Sequence, residues 1–320
     1  MRKSLRTLFG VVLAGVMALS LIGCAGGGSG AGEDKVIGYV INNLNDTFQT
    51  FILNAAQEAA EEKGFEVRVE NAREDLLTQQ DAVNTLIQNG VDALVVIPVD
   101  TSGMDPIVRA ATEAGIPLVF INRNPFAGEE DNMPAGVYYV GSNEITGGIM
   151  QMEFIGELLE GQGGIAVAMG ILGNEGAVSR TEGVQQVIEE EYPDIEILAV
   201  ETAQWQRDLA ITLAENWIST FGDTLNAIVA NNDEMALGAL QATRSNNRED
   251  ILIIGLDATP DALDAVADGG LVATVFQDAV GQGRGAMEIL IEVFEGNAPP
   301  ESVRWVDFRL VTQENIDEFR

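Results

Sequence analysis

Five short stretches set polar and aromatic side chains directly after apolar runs: NNLNDTF (42–48), INRNP (121–125), TAQWQRD (202–208), ANNDE (230–234) and GLDATPD (255–261). Carboxylates, amides and guanidinium forks present paired donors and acceptors in a plane, which suits vicinal hydroxyls, while flat rings such as Phe48 and Trp205 suit the C–H faces of a sugar. Buried polar groups matched to particular hydroxyls also reject ligands that lack them, so such a set gives selectivity without catalysis. Any single Asn or Asp here could equally be a turn residue or a helix cap. Arg123 and Trp205 have no such local role. Trp205 could belong to a core, but its neighbours Gln204, Gln206, Arg207 and Asp208 read as a surface offered to a ligand. The chain has no histidine, which excludes Ser-His-Asp and Cys-His nucleophiles and any histidine-ligated metal.

Positioning these groups falls to a regular alternation of elements. From Val36 onward, short runs rich in Val and Ile (KVIGYVIN, FEVRVE, ALVVIP, IPLVFIN) alternate with stretches whose apolar residues recur every three or four positions. A second series is expected from VYYVG onward through GIAVAMG, IEILAVE, NAIVANN and ILIIGLD. Its helices are read over Ile145–Leu159, after Arg180, over Leu209–Phe221 and from Glu234. Strands without polar alternation, separated by helices, predict parallel sheets covered on both faces, and two series predict two Rossmann-like α/β lobes. Polar residues ending such strands face the crevice where open parallel sheets bind ligands. LVATVFQ, a helix from Gln282 to Phe294 and SVRWVDFRLV remain after the second series, so these segments are expected to cross between lobes as a hinge.

The first residues point to export. Arg2, Lys3 and Arg6 precede an almost wholly apolar stretch from Leu8 to Leu19, shorter than the roughly 20 residues that a membrane span requires. The single cysteine, Cys24, can form no internal disulfide. AGGGSGAGED follows it as a tether unable to bury apolar surface. Without Arg2, Lys3 and Arg6 the chain keeps 14 basic residues against 50 acidic, a formal charge of −36 that excludes a nucleic-acid partner. Adaptation to a salty or alkaline exterior and plain solubility both account for the acidity. GQGRGA (281–286) has the spacing of a dinucleotide fingerprint, yet four residues part it from the preceding strand and its glycines fall within a helical pattern.

ANNDEMALGAL, IIGLDATPDAL, LVATVFQDA, PLVFINRNP, YYVGSNEITGG and TAQWQRDLA together resemble the periplasmic sugar-binding proteins of the ribose and galactose/glucose type, the solute receptors of ABC transporters. LIGC resembles the lipobox of bacterial lipoproteins, which implies cleavage before Cys24 and lipidation of its sulfur. The resemblance implies a type I periplasmic binding protein fold: two lobes, a three-segment hinge and one sugar between them. On this basis residues 1–23 are a signal peptide, 24–34 a tether, 35–138 with 278–306 one lobe, and 139–277 with 307–320 the other. It also implies site roles. Asp46 and Phe48 would be a hydroxyl acceptor and a stacking ring. Asn122 and Arg123 would be hydroxyl partners, Arg180 an oxygen ligand at a helix start, and Trp205 the ring on the opposite sugar face. Asn232 and Asp257 would meet further hydroxyls, Gln277 occupies the hinge position, and Asn42 stands where galactose binders carry an aromatic. Ile97-Pro98 departs from the expected Asn at that strand end, the Gly161–Gly164 loop is too short for the galactose branch's calcium site, and GILGNEGAVSR lacks that branch's His and Asp.

The expected activity is capture of a monosaccharide, an aldose such as galactose, glucose or a pentose, and its delivery to an ABC permease. No enzyme chemistry, cofactor or metal is expected. The chain is expected to act as a lipid-anchored extracytoplasmic monomer. A receptor for a furanosyl signalling molecule or a chemotaxis ligand would use the same cleft, and a nucleotide-using enzyme is the alternative from another class.

Overall fold

The computed structural model describes residues 35–320, so the expected signal peptide, Cys24 and the tether lie outside the described residues. In chain order the strands are β1 (Val36–Ile41), β2 (Glu66–Asn71), β3 (Ala93–Val96), β4 (Leu118–Ile121), β5 (Val137–Gly141) and β6 (Gly163–Met169). They continue as β7 (Ile195–Thr202), β8 (Leu225–Ala230), β9 (Leu252–Asp257), β10 (Ala273–Phe276), β11 (Val303–Trp305) and β12 (Arg309–Val311). The α-helices are α1 (Thr47–Glu62), α2 (Leu76–Gln88), α3 (Asp105–Ala114), α4 (Glu144–Leu158), α5 (Glu175–Glu190), α6 (Arg207–Phe221), α7 (Asp233–Ser245), α8 (Pro260–Ala267) and α9 (Ala279–Phe294).

Two six-stranded sheets result, in the orders β11-β5-β4-β3-β1-β2 and β12-β10-β9-β8-β6-β7. Pairing is parallel throughout except between β10 and β12. The interior strands β3, β4 and β8 are apolar because helices cover both faces, whereas the edge strands β2 and β7 carry exposed Glu66, Glu70, Glu196 and Glu201. In the first lobe α1 and α9 pack on one face and α2 and α3 on the other; in the second, α4 and α5 oppose α6, α7 and α8.

The second lobe does not begin where the sequence suggested. VYYVG forms β5 between β4 and β11, so residues 139–141 belong to the first sheet rather than the second. A buried apolar strand carries no mark of which sheet it joins. The chain then crosses at residues 142–143, returns at 277–278 and crosses again at 306–308. Several helices start earlier than their apolar periodicity indicates, because a side chain caps the first turn: Asn174 accepts from the Ala177 amide before α5, Asn232 from Met235 before α7, and Asp278 from Gly281 before α9. GQGRGA lies wholly within α9, where a Cβ on Gly283 would stand 2.5 Å from the Ile52 carbonyl oxygen. Its spacing therefore serves the close approach of α1 and α9, and no phosphate-binding turn exists there.

Candidate functional site

The carboxyl ends of eight strands turn toward one crevice, as open parallel sheets require. β1 leads to Asp46, Phe48 and Gln49, and β4 to Asn122 and Arg123. From the other side β5 leads across the first crossing to Glu144, β6 to Asn174, Glu175, Gly176 and, within α5, Arg180, and β7 to Trp205. Asn232 follows β8, Asp257 closes β9, and Gln277 begins the second crossing. Together these residues line one cavity between the lobes. A wider vestibule of about 430 Å³ shares Asp46, Phe48, Trp205, Asn232 and Asp257 with it and adds Arg207, Glu234 and Glu74.

The first-lobe groups are held from behind. Asp46 caps α1 by accepting from the Gln49 amide at 3.2 Å. The Gln49 side chain donates to Asn122 at 2.7 Å, and Asn122 donates in turn to Gln282 at 3.2 Å. Arg123 is buried and donates to the carbonyls of Pro98 and Val99 at 2.9 and 3.2 Å, with Glu74 at 3.7 Å. At the strand end where an Asn was expected, Pro98 and Val99 thus supply backbone carbonyls to hold this wall, while the Ile97 carbonyl accepts from Gln79 instead. Burial raises the pKa of Asp46 above the usual carboxylate value, against the pull of Arg123 and the helix amides.

Arg180 organises the second-lobe wall. Its Nε donates to Glu144 at 2.6 Å, and its terminal nitrogens donate to the Asn231 carbonyl at 2.6 Å and to Gln277 at 3.4 Å. Gln277 closes the circuit by donating to Glu144 at 3.3 Å. The guanidinium lies 5.7 Å from the Trp205 ring centre and 5.9 Å from that of Phe308. Glu144, Gln277 and Phe308 stand at the first, second and third crossings, so one arginine touches all three. Burial disfavours its charge, but Glu144, Asp257 and Glu175 outweigh this and raise its pKa. Arg180 sits in the second turn of α5 rather than at a helix start, because the helix begins at Glu175 behind its Asn174 cap.

Trp205 has φ +65° and lies against Gly170, where a Cβ would be 2.1 Å from the ring. Its Nε1–H is buried without a hydrogen-bond partner among the described residues, as are one carboxyl oxygen of Glu175 and the Asn174 amide nitrogen. Asp257 is buried, and no described side chain or amide donates to its carboxylate. Burial pushes its pKa well above the usual carboxylate range, with repulsion from Asp233 adding to the effect and Arg180 opposing it. Burial, then Glu144, pushes Glu175 up to about 8.

Nine of the ten residues singled out in the sequence therefore line one cavity: Asp46, Phe48, Asn122, Arg123, Arg180, Trp205, Asn232, Asp257 and Gln277. Asn42 does not. It is fully buried beneath the site, and its amide donates to Glu74 at 2.7 Å. Gln49, Glu144, Asn174, Glu175 and Gly176 line the cavity without having been singled out. Glu144 and Glu175 do follow apolar strands, in VYYVGSNE and GIAVAMGILGNE, so the strand-end rule would have reached them.

Residues 37–298 match the family described as the periplasmic binding protein domain. The chain belongs to the periplasmic binding proteins. A putative rhizopine-binding protein of Rhizobium meliloti is 38% identical over 91% of this chain and 94% of its own length. A xylitol-binding protein of Mycolicibacterium smegmatis is 32% identical over 96% of this chain and 86% of its own. Among solved structures, an ABC transporter solute binding protein from Bacillus halodurans with bound myo-inositol superposes with a TM-score of 0.83, at 38% identity, over 91% of this chain and 99% of the other. As a periplasmic binding protein the chain is a solute receptor, and its two α/β lobes are those of the type I fold.

Proposed function

We propose that this binding protein captures a cyclic polyol, a monosaccharide or cyclitol, between its lobes and presents it to an ABC permease. One observation carries the reading: Phe48 from one lobe and Trp205 from the other line the same cavity as two arginine forks and four carboxylates. Rings from both lobes suit the two C–H faces of a saturated ring, and the forks and acids suit its equatorial hydroxyls. The bound myo-inositol of the 38%-identical structure and the xylitol named for a relative shift the expected class from aldoses alone toward polyols. Asp46, Phe48, Asn122, Arg123, Arg180, Trp205, Asn232, Asp257 and Gln277 are the proposed contacts, with Gln49, Glu144, Asn174 and Glu175 beside them. Closure brings both halves onto the ligand at once, so binding shifts the population toward the closed form that the permease reads.

In this reading no covalent step occurs, the receptor works as a monomer outside the cytoplasm, and lipid on Cys24 holds it to the membrane. The test is calorimetric titration of the protein with myo-inositol, xylitol, glucose, galactose, ribose and NAD. Saturable binding of a polyol or sugar supports the reading; binding of NAD alone refutes it.

A further inference from the structure

The bend that ends β9 stands in backbone territory that side-chain-bearing residues rarely occupy: Asp257 has φ +134° and Ala258 φ +56°. Something must hold it. Asp233, the first residue of α7, is fully buried and lines neither the cavity nor the vestibule. Its carboxylate accepts from the Thr259 amide at 2.7 Å, from the Thr259 hydroxyl at 3.2 Å and from the Thr274 hydroxyl at 2.7 Å. The same Thr274 oxygen accepts from the Ala258 amide at 3.3 Å. Gly255 makes room for the group, since a Cβ there would lie 2.2 Å from an Asp233 oxygen. Both residues after Asp257 are thus tied, one directly and one through Thr274, to a single buried carboxylate on another element.

We propose that Asp233 is a positioning residue for ligand capture, clamping the 257–259 bend so that the Asp257 carboxylate points into the cavity. The inference rests on the reading of that cavity as the polyol site. Asp257 also feels Asp233 from α7, Arg180 from α5, Glu144 from α4 and Asp46 from the first lobe, and of these only Asp233 acts from outside the cavity wall. Its charge raises the pKa of Asp257 while its oxygens fix the bend.

Asp233→Asn and Thr274→Val test this separately and together. Titrated with myo-inositol, each single variant loses about tenfold in affinity, and the double variant loses little more, because both act through one network. In the ligand-free protein the carboxyl carbon of Asp257, followed by NMR, titrates at lower pH in Asp233→Asn than in the wild type. Crystal structures of both variants show the Asp257 φ returning to negative values. Affinity within twofold of the wild type in both variants overturns the proposal. So does retention of the bend, with Asp257 still facing the cavity. If the wild type binds none of the polyols and sugars of the panel, the polyol reading fails instead, and the backbone of the variants still decides the role of Asp233; if it binds another of them, that ligand replaces myo-inositol in the titrations.

Discussion

Replacing Arg180 by Met probes the centre of the second-lobe wall. The guanidinium and Glu144 are both almost fully buried, and their contact of 2.6 Å is joined by donations to Asn231 and Gln277. Removing the cation strands a buried carboxylate, a change that costs about 3–5 kcal/mol. For a body of this size, 1 kcal/mol moves the melting temperature by roughly 2–4 °C, so the variant should melt roughly 6–20 °C lower. Adding Glu144→Leu removes the stranded charge as well. The double variant should then be more stable than the sum of the single losses predicts, by about 2 kcal/mol. Denaturant unfolding of the four proteins of this cycle measures that coupling. Losses that add to within about 0.5 kcal/mol would refute the reasoning, since they would mean that Arg180 and Glu144 do not stabilise one another.

Trp205→Ala should weaken polyol binding by about tenfold or more in calorimetry, because the ring lines the cavity as well as packing at the edge of the second-lobe core, and a melting curve checks that the protein stays folded; unchanged affinity counts against its role as a face. Burial holds Glu175 protonated at neutral pH in the folded state, up to about 8, against 4.5 as its ordinary value. The folded chain therefore binds more protons than the unfolded one between those limits, and stability falls as pH rises from 4.5 to 8. Glu175→Gln should flatten that fall in melting curves recorded across the range. Gly283→Val should destabilise the protein by about 1–3 kcal/mol through the α1–α9 contact, read by denaturant unfolding, and leave its response to NAD in calorimetry the same as that of the wild type. Cys24→Ser should move the protein from the detergent phase to the aqueous phase on Triton partitioning; equal partitioning would remove the lipid anchor.

Much of this arrangement is legible in the sequence because parallel strands buried on both faces are written as unbroken apolar runs. ALVV and AIVA, short runs rich in Val and Ile set between helical patterns, read as such strands, and the polar groups that end them are placed toward the crevice. That rule alone reaches Arg123, Trp205 and Asp257. It fails for Asn42, because the first residue after β1 turns inward to Glu74 before the chain reaches the cavity at Asp46. It also fails to place VYYVG, since the sheet a buried strand joins is decided by packing partners far away in sequence: Tyr139 and Val140 pair with Val303 and Arg304. Helix starts slipped for a local reason, the caps Asn174, Asn232 and Asp278 reaching back beyond the first apolar residue. Glu144 lies within reach of the strand-end rule, three residues after β5, but that it joins the second-lobe wall shows only in three dimensions, because a crossing separates it from its strand's sheet.

Arg123 is anchored to Pro98, Val99 and Glu74 of its own lobe, and Arg180 to Glu144 and Asn231 of the second lobe and to Gln277 in the second linking segment. Neither fork waits for the other half to be set in place. A solute can therefore dock on one open face at little cost in ordering, and the later swing of the lobes moves finished surfaces rather than building them. Substitutions in the three linking segments away from Gln277 and Phe308 should alter how fast the jaws shut and reopen, leaving the stereochemical preference of each jaw as it was.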